Sequence, residues 1–262
     1  MMAMYETIQI DQQGEIAILT FNRPDKLNAI NRTVYEEMGD YLHSLERDDS
    51  AASILILTGA GRAFVAGADI DDYTTMTLAQ FSAFQRLGRS VMAQIEQLPR
   101  PVIAAVNGYA LGGGFEIALA CDVIIGAENA KFGLPEAKLG LLPGGGGTQR
   151  LPRLVGAGVA KRMIFSGEII DAQRAYQLNI ATEIAPKGEA LNAAIALAEK
   201  ILANGQLAVR MAKRVIDEGL EASLTTALSL EMDSTAHLFV TDDKREGIAA
   251  FVEKRPPQFT GQ

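Results

Sequence analysis

The chain reads as an α/β core followed by a smaller, purely helical region, and three observations carry that reading. Up to about residue 190, short β-rich apolar runs alternate with stretches of helical periodicity, as crossover connections between largely parallel strands require. From about Gly188 onward the strand signals stop and only helical stripes remain. Glycine-rich segments stand where apolar runs give way to helices, which leaves main chain open to a ligand at strand ends. The expected division is a catalytic core over 1–190 and a helical region over 191–262.

Composition narrows the functional classes. Of 262 residues 48% are hydrophobic and 21% charged, enough for a sizeable core with an ordinary surface. Lys and Arg number 24 against 32 Asp and Glu, a net charge of −8. That balance argues against broad binding to nucleic acid or to an anionic membrane, while leaving room for a local cation cluster around one phosphorylated ligand. Cys121 is the only cysteine, so no intrachain disulfide can form, which fits a reducing compartment. The first residues lack the cationic and apolar regions of a signal peptide. No apolar run reaches the ~20 residues of a membrane helix; the longest are broken by Asn107-Gly108 and Asp122. A cytoplasmic location is expected.

The elements follow in order. Residues near Thr7–Ile10 and Glu15–Phe21 read as a hairpin turning at Gln12-Gln13-Gly14. Asn31–Leu45 has helical spacing in Val34, Met38, Tyr41, Leu42 and Leu45. Ser53–Thr58 and Pro101–Asn107 are near-continuous apolar runs, as strands covered on both faces need. Thr77–Leu98 predicts a helix ended by Pro99 and Pro101. Gly112–Ala120 predicts a short helix and Asp122–Ile125 a further strand. In the last region, helices are expected from Leu191 to Leu202, around Met211–Ile216, from about Ser223, and from Asp242-Asp243 to Pro256.

Three segments could hold chemistry. In Asn107-Gly108-Tyr109-Ala110-Leu111-Gly112-Gly113-Gly114-Phe115-Glu116, a buried strand leads through three glycines into a helix. Such a start exposes free N–H groups at the positive helix end, which suits an anion or an oxygen that becomes anionic. Its spacing is neither G-x-G-x-x-G nor a P-loop. Close helix–strand packing is the plainer use of the same glycines. Gly59 to Ile70 is a second backbone-exposing segment after a strand, so the two could supply a pair of N–H donors. The third is Phe132-Gly133-Leu134-Pro135-Glu136 with the Pro143–Arg150 run PGGGGTQR behind it. Glu116 and Glu136 are each set among apolar and glycine residues, unlike ordinary solvated carboxylates. There is no nucleophile elbow, His43 and His237 lack metal-ligand spacing, and Cys121 ends an apolar helix as a core residue would.

In this order and spacing, AFVAGADI, PVIAAVNGYALGGGFE, FGLPE, PGGGGTQRL and DDKREGIAAF resemble the enoyl-CoA hydratase (crotonase) superfamily over nearly the whole chain. The resemblance implies a crotonase-like spiral of ββα turns, a C-terminal helical trimerisation region, trimers or hexamers, and acyl-CoA thioester substrates. No metal or separate cofactor is implied, coenzyme A being part of the substrate. The family's oxyanion-hole N–H groups fall on Ala68 and Gly113. Ala66, Asp69 and Ile70 match positions around the adenine end of CoA, and Lys26 a cation near its phosphates. Phe251 and Lys254 match residues that reach the CoA of a neighbouring subunit. Glutamates at the positions of Glu116 and Glu136 are those of the hydratases: Glu116 would direct water to C3 and Glu136 would protonate C2 of a trans-2-enoyl-CoA. A Δ3–Δ2-enoyl-CoA isomerase and a specialised hydratase of amino-acid or aromatic-acid breakdown are the alternative activities. An RNA-binding relative fits the acidic charge poorly.

Overall fold

A computed structural model describes residues 5–48 and 52–262. The chain divides into two compact units: one runs up to Leu98 and from Val102 to Ile195, the other comprises Pro99–Pro101 and Ala196–Gln262.

The first unit holds two sheets. Strands β1 (Ile8–Gln13) and β2 (Ile16–Phe21) form an antiparallel hairpin, with Gly14 turning at φ +58°. The turn falls at Gly14-Glu15, one residue beyond the expected place, because pairing continues to Gln13↔Ile16. Next come β3 (Ile54–Gly59), β4 (Ala63–Val65), β5 (Val102–Val106), β6 (Tyr109–Leu111), β7 (Val123–Ala127), β8 (Lys131–Gly133), β9 (Ile169–Asp171) and β10 (Glu183–Ala185). The larger sheet has the order β1-β2-β3-β5-β7-β10, parallel apart from its hairpin edge. The smaller one has the order β4-β6-β8-β9, parallel except for β8 with β9. Successive segments β3–β4, β5–β6 and β7–β8 thus give one strand to each sheet before the chain goes helical, which is the ββα spiral. Every residue of β5 is buried, so its unbroken apolar run is what two covered faces require.

Three-residue strands of the small sheet occupy stretches that read from sequence as glycine loops. Side-chain amides satisfy the carbonyls at their junctions: Asn28 Nδ2 donates to Ala63 O (2.8 Å) and Phe64 O (3.1 Å), and Asn107 Nδ2 to Gly59 O (2.9 Å). Helix α1 (Arg32–Arg47) is capped by Asn31, whose side chain accepts from Val34 N–H. After the single turn α2 (Ile70–Tyr73), helix α3 (Leu78–Gln97) opens with a reciprocal capping box between Thr77 and Gln80. On α1 the buried tyrosine is Tyr35; Tyr41, assigned to the apolar stripe from sequence, is only half-buried. Helices α4 (Gly113–Leu119), α5 (Gly147–Val155), α6 (Ala157–Ser166) and α7 (Ala172–Gln177) complete this unit.

Helix α8 (Ala190–Leu202) carries the boundary between the units, and α9 (Gln206–Leu220), α10 (Leu224–Phe239) and α11 (Asp242–Glu253) build the second. Within it, the buried Asp243 carboxylate accepts from Thr260 N–H (2.7 Å) and Gly261 N–H (3.1 Å), tying the C-terminal tail to the start of α11. Many of its apolar side chains stay exposed: Ile216, Leu220, Leu224, Leu228, Met232 and Phe239 among them.

Candidate active site

The site begins where β6 enters α4. Gly112 has φ +52° and ψ −127°, a conformation that a side chain would not tolerate. It lets the chain turn from the sheet into the helix within one residue. A Cβ on Gly114 would lie 2.1 Å from Val65 O, so the helix start can press against β4 only without one. The packing use of the glycines is therefore real for Gly114. Gly113 is the first residue of α4, and its N–H is among the first-turn donors that have no intrahelical acceptor.

The second candidate donor is on Ala68. Ile30 N–H bonds to Gly67 O (2.8 Å) and Asp69 N–H to Ile30 O (2.8 Å), a short parallel bridge outside both sheets. Ala68 lies between the two bonding residues, so its own N–H is turned to the opposite side of the segment. Both Ala68 and Gly113 line one cavity of about 180 Å³.

Glu116 and Glu136 line that cavity too. Glu116 stands one turn into α4, 3% exposed, and its Oε1 accepts from Gly145 N–H (2.8 Å) and Gly147 N–H (2.7 Å). A Cβ on Gly145 would come within 2.8 Å of Glu116 Oε2, so the glycine run wraps the carboxylate with bare backbone. That run is itself held. Arg150 donates from Nη1 to Gly145 O (2.7 Å) and bidentately to Glu96 of α3 (2.5 and 2.6 Å). Glu136 sits after Pro135 in a 3₁₀ turn, Pro135–Leu139, that closes through Gly140 at φ +73°. Its Oε2 is buried with no hydrogen-bond partner among the described residues.

The two carboxyls are unequal. Burial pushes both up, but on Glu116 the Gly147 and Gly145 N–H groups and the Arg150 charge oppose that push. Glu136 is pushed up to about 7, first by burial and further by the charge of Glu116. Glu116 thus has donors and a cation that favour its ionised form, whereas Glu136, pushed up to about 7, has the Glu116 charge to raise it further.

Of the other residues singled out from sequence, Ala66 and Ile70 line the cavity, whereas Lys26 and Asp69 are not among its lining residues. Asp69 receives Arg23 Nη2 at 3.0 Å, and Lys26 pairs with Asp71 at 2.9 Å on the surface. Phe251 and Lys254 belong to the second unit, where Phe251 is 85% exposed and Lys254 caps α11 at φ +55°. No group of three His, Cys, Asp or Glu side chains among the described residues is placed to hold a metal ion.

Comparison with known proteins shows the family. Residues 11–262 match the sequence profile of the family described as enoyl-CoA hydratase/isomerase. The chain belongs to that family. It is 43% identical to a crotonyl-CoA hydratase of Syntrophomonas wolfei, over 97% of this chain and 98% of the relative. Identity to a short-chain-enoyl-CoA hydratase of Clostridium acetobutylicum is also 43%, over 94% of each. The crystal structure of an enoyl-CoA hydratase from Bacillus anthracis superposes with a TM-score of 0.95 at 40% identity, covering 98% of this chain and 100% of that one.

As a member of the enoyl-CoA hydratase/isomerase family the chain also has cavity residues that its motifs did not disclose. Tyr35, Tyr73, Phe81, Phe84, Gln85 and Leu142 come from segments read only as helix or loop. A signal for Tyr35 was present: Gly88 interrupts α3, where alanine would be better by about 1 kcal/mol. A helix that keeps a glycine at such a position is leaving room for something.

Proposed function

We propose that this chain is an enoyl-CoA hydratase that adds water reversibly to a trans-2-enoyl-CoA, giving a 3-hydroxyacyl-CoA. The observation that supports the reading is that Ala68, Gly113, Glu116 and Glu136 all line one cavity. The thioester oxygen is held by Ala68 N–H and Gly113 N–H. Glu116 takes a proton from water as the water oxygen bonds to C3. The C2–C3 electrons move toward the carbonyl, and the enolate charge collects on the oxygen between the two donors. Glu136 then gives its proton to C2. Proton exchange between the two carboxyls restores the starting state. Water and enoyl thioester supply every atom of the product, so no separate cofactor is needed. The test is loss of the enoyl-thioester absorbance of crotonyl-CoA with purified protein, with 3-hydroxybutyryl-CoA recovered in equal amount.

The acid–base assignment has a sign. Glu136 must be protonated to act, and its folded pKa is raised to about 7. Activity expressed as kcat/KM should therefore fall as pH rises through that value, approaching tenfold per pH unit. A flat profile from pH 6 to 9 would contradict the assignment. The same raised value makes Glu136 a stability cost, which grows between the ordinary carboxyl range and about pH 7.

Arg150 enters the acid limb. Its charge and its hold on Gly145 both favour ionised Glu116. In Arg150→Gln the pKa of Glu116 rises, so the acid limb of kcat/KM should move upward by at least about one pH unit. An unmoved limb in a folded variant would show that the bonds of Arg150 to Gly145 and Glu96 only support the fold.

The assembly proposed is a trimer, or a hexamer made of two trimers, built through the helices from residue 191 onward. The exposed apolar residues of α9, α10 and α11 support it, since a soluble monomer rarely leaves so many uncovered. In such an assembly Phe251 and Lys254 would reach the CoA of a neighbouring protomer, and Lys26 would exchange Asp71 for a CoA phosphate. Light scattering at micromolar concentration should give three or six times the 28.0 kDa chain mass; a monomer mass would overturn this. Among the described residues no helix is long and apolar enough to cross a membrane.

A further inference from the structure

The lining of the cavity is uneven. Ile70, Leu139 and Leu142 are exposed, whereas Tyr35 and Phe84 are 5% and 6% exposed. A bulky CoA moiety needs the exposed side, which leaves the buried rings to the acyl tail. These rings adjoin one another. Tyr35 and Phe84 are 5.3 Å apart between centroids, Phe84 and Tyr73 5.9 Å, and Tyr73 and Phe81 5.5 Å. The last two contacts are edge-to-face, which leaves little room between rings. Met92, fully buried, lies behind Gly145.

Tyr35 is the ring that lies beside Gly113. A Cβ on Gly113 would lie 3.6 Å from Tyr35 Oη, so the phenol flanks the residue that donates to the thioester oxygen. Its ring rests on Gly88: a Cβ there would meet Tyr35 Cε2 and Cζ at 2.8 Å. The glycine in α3 is therefore a seat, and filling it drives the ring toward the cavity.

We propose that Tyr35, seated on Gly88, is a specificity-determining residue that ends the acyl compartment and restricts the enzyme to short-chain enoyl-CoAs. This rests on the hydratase reading above. An acyl chain that clears C3 meets the Tyr35–Phe84–Tyr73 wall after a few carbons. Each methylene that cannot be housed weighs on the transition state, and one such group alters kcat/KM by roughly tenfold or more.

The experiment compares kcat/KM for crotonyl-, hexenoyl- and decenoyl-CoA in the parent and in Tyr35→Ala, Tyr35→Phe and Gly88→Ala. The parent should prefer crotonyl- over decenoyl-CoA. Tyr35→Ala should raise the decenoyl/crotonyl ratio at least about tenfold. Tyr35→Phe should keep the parent ratio, since the ring and not the hydroxyl is the wall. Gly88→Ala should lower the hexenoyl/crotonyl ratio. In parallel, calorimetric binding of unreactive butyryl- and decanoyl-CoA reads the same compartment without turnover, and Tyr35→Ala should gain affinity for decanoyl-CoA selectively. A parent that accepts decenoyl-CoA as readily as crotonyl-CoA, or an unchanged profile in active, folded Tyr35→Ala, would overturn the proposal. So would a Tyr35→Phe variant whose profile shifts as far as that of Tyr35→Ala. If the parent hydrates none of the three, the hydratase reading fails first; the binding series still shows whether Tyr35 limits chain length.

Discussion

Replacing either Glu116 or Glu136 by glutamine is expected to lower the turnover of crotonyl-CoA at least ~100-fold, with a much smaller change in affinity for the CoA thioester. Glutamine keeps the size of the side chain and part of its hydrogen bonding, so the loss reports proton transfer. The two variants fail for opposite reasons. In Glu116→Gln the Gly145 and Gly147 N–H groups, 2.8 and 2.7 Å from the carboxylate oxygen, still have an amide oxygen to meet, but the group no longer takes a proton. In Glu136→Gln the proton destined for C2 is missing, and the fall in kcat/KM above pH 7 should go with it. The double variant should be little worse than either single one, because a water served by half its machinery is already poorly activated. An isomerase moves one proton and would depend on one carboxyl far more than on the other. Measuring 3-hexenoyl-CoA isomerisation beside crotonyl-CoA hydration separates the two activities. Hydration surviving at the parent rate without either glutamate would sink the mechanism.

The second large effect is expected at Gly113. Proline at this position removes the N–H while fitting the first turn of a helix, where no intrahelical bond is lost. Loss of one oxyanion donor typically costs ~3 kcal/mol of barrier, so turnover should fall by two orders of magnitude or more. Alanine serves as the control for bulk. Its Cβ would stand 3.1 Å from Ile30 Cδ1, the far end of a flexible side chain, and its N–H is retained. Gly113→Ala should therefore keep most of the activity that Gly113→Pro loses. Circular dichroism and light scattering must show both variants folded and assembled like the parent. A folded Gly113→Pro enzyme with parent turnover would place the donor elsewhere.

Much of the molecule was legible because its signals are local. Strands β3 and β5 announce themselves as unbroken apolar runs since both their faces are covered. The helices placed from Asn31 and Thr77 follow from apolar spacing and the prolines after Leu98, while the structure adds that both residues are caps. The glycine segments mark places where main chain must turn sharply or be approached closely, a property each glycine carries by itself. The candidate carboxyls stood out because Glu116 and Glu136 interrupt apolar and glycine surroundings that an ordinary surface glutamate does not have. Alternation of these elements, followed by helices alone, was enough to give an α/β core with a helical tail.

What tertiary structure alone decided lies in pairings that no local pattern encodes. The small sheet is made of three-residue strands, too short for a period of two to emerge, and they exist because β4, β6, β8 and β9 meet one another. Tyr35 rather than Tyr41 turns inward because α3 offers a bare Gly88 opposite it. Arg150 and Glu96 are 54 residues apart, and their pairing braces the loop that wraps Glu116. Above all, two glutamates of the same intrinsic acidity become unlike only when folded. Backbone N–H groups converge on Glu116, and burial leaves a Glu136 oxygen without a partner among the described residues. The sequence supplies both carboxyls, but the difference in desolvation and hydrogen bonding between them arises only from where the fold puts them.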